Sequence, residues 1–138
     1  MTAPRLIITK LDQQRLKPLL ADVMVKKSVL DPYLETLYRE LERATIVSSD
    51  DVPFDVITMN SQVDLYDVEF DVTETYTLVF PVDADVFANR LSVLNPMGAV
   101  ILGRRSGDVV CWQNASGEHQ LELRKLSFQP ERDGVLNL

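Results

Sequence analysis

The stretch Asn95-Pro96-Met97-Gly98-Ala99-Val100-Ile101-Leu102-Gly103 decides the fold. Asparagine caps the free N–H groups of a helix start, and proline suits the first turn, where no N–H is needed. Glycine closes a helix in the left-handed conformation. Between these signals runs an unbroken apolar segment. The reading is a short buried helix with its own start and stop.

On both sides of it the pattern has period two. Val63 and Leu65 alternate with polar residues, as do Tyr76, Leu78 and Phe80, then Val109 and Cys111 with their neighbours, then Leu121 and Leu123. These runs are rich in Val, Thr, Tyr, Phe and Trp and predict at least four strands. Asn114-Ala-Ser-Gly117 predicts the hairpin turn between the last two, and Gly107-Asp108 a tight turn. One helix on an antiparallel sheet is an α+β arrangement.

Upstream, Ser48-Ser49-Asp50-Asp51-Val52-Pro53 reads as a linker. The 45 residues before it read as helical. Leu30, Leu34, Leu37, Leu41 and Ala44 follow 4-3-4-3 spacing, which places them on one helix face. Asp31-Pro32 supplies cap and first-turn proline, and Leu30 sits where a hydrophobic staple acts. Leu16, Leu19, Leu20 and Val23 form a second stripe, with Asp12 as its cap and a kink at Pro18. The expectation is an antiparallel helical hairpin over 1–47, with its tip at residues 24–30, and a sheet domain over 53–138. The seam is two heptads long, short for a free-standing dimer, so it pairs within a monomer.

Apolar residues make up 46% of the 138, enough for a core. No apolar run reaches the roughly 20 residues of a membrane span, and Leu6-Ile7-Ile8 is too short for a signal peptide, so the expected location is cytoplasmic. The single cysteine, Cys111, excludes an intrachain disulfide and reads as a small buried hydrophobe. Charge is uneven: residues 1–45 carry 8 Lys/Arg and 6 Asp/Glu, a balance of +2, and residues 46–138 carry 6 and 15, a balance of −9. An acidic body repels phosphate backbones and argues against direct DNA or RNA binding. It suits a basic protein surface, although solubility alone explains it equally well.

The residues offer little for catalysis. His119 is the single histidine, in a polar turn with no nucleophile beside it, and reads as solvated. One His and one Cys exclude the common zinc patterns. Asp64, Asp67, Glu69 and Asp71 lack the glycine and closing glutamate of a calcium loop and read as a solvated strand face. There is no phosphate-binding glycine motif, so no cofactor is expected and the chain is not read as an enzyme.

Ala84-Asp85, the run Leu91-Ser92-Val93-Leu94-Asn95-Pro96-Met97-Gly98-Ala99-Val100-Ile101-Leu102-Gly103, Gly107-Asp108 and Gly117 together resemble the C-terminal domain of the GreA/GreB transcript-cleavage factors. Asp55 to Val63 and Leu126-Ser127-Phe128-Gln129-Pro130 are more similar still to the Rnk family, short Gre relatives called regulators of nucleoside diphosphate kinase. The resemblance implies an FKBP-like sheet over about 53–130, without isomerase activity, and binding to RNA polymerase near its secondary channel. It places Leu94, Asn95, Pro96 and Met97 in the docking surface, with Asp85 and Ser92 beside them. Asn95 stands where the family carries Ser. The same residues also serve to start the buried helix.

Gre factors reach the polymerase active site with a long coiled coil that carries acidic residues for a metal ion. Here helices of roughly 12–15 residues extend about 20 Å. The tip carries Lys26 and Lys27 rather than a carboxylate pair, and metal-assisted cleavage needs carboxylates at the metal. The implied function is competition for the polymerase site without cleavage. The alternative is direct contact with nucleoside diphosphate kinase. A prolyl isomerase would need an apolar pocket in the sheet, to which nothing in the sequence points.

Overall fold

The computed structural model describes residues 5–26, 31–114, 117–135 and 138. Strand β1 (Ile7–Thr9) runs directly into helix α1 (Lys10–Lys26), and α2 (Pro32–Arg43) runs almost directly into β2 (Thr45–Val47). β1 and β2 pair in parallel, Ile7 opposite Thr45 and Thr9 opposite Val47. The chain therefore leaves and regains this two-stranded base at one place. Reading the first 45 residues as helical missed both strands, because three-residue segments are too short to show a period.

Then follow β3 (Gln62–Asp67), β4 (Val72–Val79), β5 (Arg90–Ser92), α3 (Pro96–Ile101), β6 (Val109–Asn114), β7 (Gly117–Phe128) and α4 (Pro130–Asp133). The larger sheet has the order β5-β4-β3-β7-β6. Its pairs are antiparallel except β4–β5, which is parallel and is joined by a crossover of two 3₁₀ turns. The four sequence-predicted strands are present. So is the Gly107-Asp108 turn, where Gly107 has φ +99° and the Asp108 carboxylate accepts from the Arg105 N–H.

α2 begins as predicted, with the Asp31 carboxylate accepting from the N–H groups of Tyr33 and Leu34. Leu34, Leu37 and Leu41 of the predicted seam are buried, and Leu30 lies outside the described residues. α1 has 17 residues, more than expected, and spans about 26 Å. Its Pro18 is exposed, as is Gln14, whose carbonyl loses its helical partner to the proline. The missing bond therefore faces water.

Asp12 is not the cap of α1. Thr9 caps it, its hydroxyl accepting from the Asp12 N–H at 3.1 Å. Asp12 itself is buried. Its carboxylate accepts from the Met59 N–H at 3.1 Å and from the Arg15 guanidinium at 2.6 Å. Burial holds this carboxyl above the ordinary Asp value, in spite of Arg15 and Met59. The contact ties α1 to the loop before β3. Leu16, Leu20, Leu34, Leu37 and Leu41 share one core cluster with Met59, Val63, Leu78, Ile101 and Leu123. The helices are thus packed on the sheet by the same apolar burial that closes the sheet on α3.

Glu131 of α4 reaches the same region. The Thr58 hydroxyl donates to it at 2.7 Å, and burial raises its carboxyl above the usual 4.5, with Asp12 adding to the rise. A carboxyl raised on folding supports the fold fully when protonated, and that support fades as pH rises through the raised value. Gln keeps the acceptor for Thr58 and carries no charge. Glu131→Gln is therefore expected to raise the urea midpoint at neutral pH and leave it unchanged below the unfolded value of 4.5.

Candidate docking site

The predicted helix start is built as its sequence implies. The Asn95 side chain accepts from the Met97 N–H at 2.9 Å, and Pro96 occupies the first turn. A tight turn precedes it: the Asn95 N–H donates to the Ser92 carbonyl at 3.0 Å, and the Ser92 hydroxyl accepts from the Leu94 N–H at 3.1 Å. Ser92, Leu94, Asn95, Pro96 and Met97 thus form one continuous, internally bonded corner between β5 and α3. Asn95 is exposed on it, and Leu94, Pro96 and Met97 are half-buried. Below it Gly98 lies against the Ser92 carbonyl, and the turn that follows the helix carries Gly103 at φ +76°. Replacing Asn95 with Ala removes the cap and is expected to lower stability by about 1 kcal/mol, read as the urea midpoint; Asn95→Ser keeps most of it.

Asp85 lies at the other end of β5. It exchanges backbone hydrogen bonds with Arg90, and its carboxylate accepts from the Phe87 N–H at 3.0 Å. Around it Val82, Val86 and Phe87 are exposed at 90%, 86% and 101%. The sequence reading missed these three, because a 3₁₀ crossover has no period to mark which side chains are out. Lys26 is exposed at the end of α1 and pairs with Asp22 at 3.1 Å. Lys27 lies outside the described residues.

Three other residues differ from expectation. His119 is 2% exposed, not solvated. It lies opposite Trp112 across β6–β7, on the inner face shared with Leu121 and Leu123, and its Nδ1 is 3.2 Å from Asp67. Its even spacing with those leucines was the available signal. Cys111 is exposed, because the alternation of edge strand β6 puts it on the outer face. Desolvation and then Glu118 hold its thiol above the usual range. Asp67 is likewise no free strand-face carboxylate, since it also accepts from the N–H groups of Glu69 and Phe70. Among the described residues no group of three or more His, Cys, Asp or Glu is placed to hold a metal ion, and no helix is long and apolar enough to cross a membrane.

A curled sheet with a short capped helix, and two helices ahead of it, makes a mixed α+β fold similar to that of GreA/GreB transcription elongation factors. Residues 51–127 match the family described as transcription elongation factor GreA/GreB, C-terminal, and residues 4–47 match the Rnk N-terminus. A GreA/GreB factor from Nitrosomonas europaea superposes with a TM-score of 0.74 at 31% identity, covering 91% of this chain and 100% of that one. The chain is 34% identical over 137 residues to the regulator of nucleoside diphosphate kinase of Escherichia coli K12, covering 97% of each. It is also 34% identical over 94 residues to GreA of Alkaliphilus oremlandii, where the match takes in 57% of that longer protein. The chain belongs to the Rnk family. Its relatives are named as regulators or elongation factors rather than as enzymes.

Proposed function

We propose that the chain binds RNA polymerase near the secondary channel and competes there with Gre-type factors without stimulating transcript cleavage. The observation that carries this reading is the match to Rnk over nearly the whole chain, joined to a GreA/GreB C-terminal match that includes the Ser92–Met97 corner. In this reading the corner is the docking surface, with Asp85 at its flank. Residues 53–138 are an FKBP-like sheet domain, and 1–47 an antiparallel hairpin that stops short of the catalytic centre. Arm length supports the last point, since α1 and α2 have 17 and 12 residues and span about 26 and 18 Å. The end of α1 supports it too, because the Asp22 carboxylate is matched by Lys26 rather than offered to a metal. The protein acts as a cytoplasmic monomer, by contact and without catalysis or cofactor. The acidic balance of 46–138 fits a basic protein surface and disfavours nucleic acid.

The test is anisotropy of labelled protein with core polymerase while unlabelled GreB is added. Binding that GreB displaces, with no cleavage in backtracked complexes, is the expected result. No binding at micromolar polymerase, or stimulated cleavage, overturns the reading. The name of the Escherichia coli relative supports a second reading, direct regulation of nucleoside diphosphate kinase. That reading requires a kinase complex that forms without polymerase.

A further inference from the structure

Helix α3 has six residues and spans about 9 Å, too short to cover the inner face of the sheet. Beyond Met97 that face is open. A pocket of about 320 Å³ is left there, walled by Asp67, Phe70, Glu74, Tyr76, Met97 and Trp112. The register puts these groups on one side: Glu74 lies opposite Leu65, Tyr76 opposite Val63, and Trp112 opposite His119. His119 is held behind the wall, its ring centre 5.0 Å from Phe70 and 5.2 Å from Trp112.

The chemistry of the lining is specific. It combines three aromatic rings with two carboxylates, and among the described residues no cationic side chain lines it. Asp67 faces His119, but Glu74 has no cationic partner among the described residues, only the Tyr76 hydroxyl that donates to it. The Tyr76 phenol is pushed up to about 12, by burial first and then by Glu74, so it stays a donor. Trp112 Nε1 is buried with no hydrogen-bond partner among the described residues. Ring faces attract a cation, carboxylates pair with it, and an apolar floor accepts its carbon stem. A guanidinium uses all three, since it is planar, stacks on rings and donates to two oxygens at once.

We infer that this pocket takes an arginine side chain of the protein partner that docks on the Ser92–Met97 corner, with Met97 serving both. The inference rests on the polymerase reading for the identity of the partner, not for the chemistry of the pocket. Trp112 is the only tryptophan, so its fluorescence reports the pocket directly. Titration of the whole chain with N-acetylarginine amide is expected to give a saturable change in that signal. N-acetylnorleucine amide should give none, and Glu74→Lys should abolish the response. Against core polymerase, Glu74→Lys is expected to weaken binding by about tenfold. Glu69→Lys, the same charge change on the same hairpin outside the pocket, should weaken it by less than about twofold. Circular dichroism and melting of both variants establish that they are folded. Three results overturn the inference: no saturable Trp112 response, an equal response to the norleucine probe, or equal weakening by the two lysine variants. An arginine-specific response in a chain that polymerase does not bind sustains the pocket and removes the polymerase reading alone.

Discussion

Gly98→Ala should melt about 10 °C below the wild type, the reverse of what helix propensity gives. In an ordinary helix interior, alanine is better than glycine by about 1 kcal/mol. Here a Cβ on residue 98 would lie 2.2 Å from the Ser92 carbonyl oxygen, 3.1 Å from its carbon and 3.2 Å from Val93 Cα. All three are backbone atoms, in a turn held by the Asn95 N–H bond to that same carbonyl. No side chain can swing aside, so α3 has to lift off β5 or the turn has to open. Overpacking of this kind costs about 3 kcal/mol, which for a chain of this size corresponds to the shift named. Calorimetry is the measurement. A variant that melts with the wild type would mean that α3 does not rest on the Ser92 carbonyl, and the corner proposed for docking would lose its described geometry.

The second large effect is expected from Leu16→Ala. Leu16 lies on α1, far in sequence from the sheet, yet it is fully buried in the cluster that holds Met59, Val63 and Leu123. Truncating a buried leucine costs about 2–5 kcal/mol through lost burial and the cavity left behind. The informative readout is Trp112, on β6 of the sheet. With one common core, the urea midpoint seen at Trp112 should fall together with the helical signal in circular dichroism. A helical arm that stood apart would lose its helix at lower urea while Trp112 reported an unchanged midpoint. That result would assign the N-terminal segment a core of its own.

These two variants also separate what the function needs. Gly98→Ala disturbs the corner itself, whereas Leu16→Ala lowers stability and leaves the corner intact while folded. Under conditions where both are folded, polymerase affinity should fall for the first and hold for the second, as read by the anisotropy competition.

Local elements whose signals are short-range are legible in the residues alone. Asn95-Pro96 to Gly103 specified α3 to within a residue, because cap, proline and glycine act on their own neighbours. Asp31-Pro32 did the same for α2, and alternation marked β3, β4, β6 and β7. The run Leu91 to Gly103 also carried the resemblance to GreA/GreB, and Asp55 to Val63 with Leu126 to Pro130 the resemblance to the Rnk family, to which the chain belongs. Tertiary structure alone decided whatever depends on register between distant segments. β1 and β2 are three residues each and exist only because they pair with one another across two helices. Asp12 reads as a cap, but it is drawn inward by the Met59 N–H 47 positions away. His119 and Cys111 exchange their expected environments because strand parity, fixed by pairing with β3, chooses which side chain faces in. The pocket at Trp112 arises from the shortness of α3 relative to the sheet it covers. Helix starts are written in neighbouring residues, whereas burial depends on which distant strand lies opposite, and no local pattern encodes that.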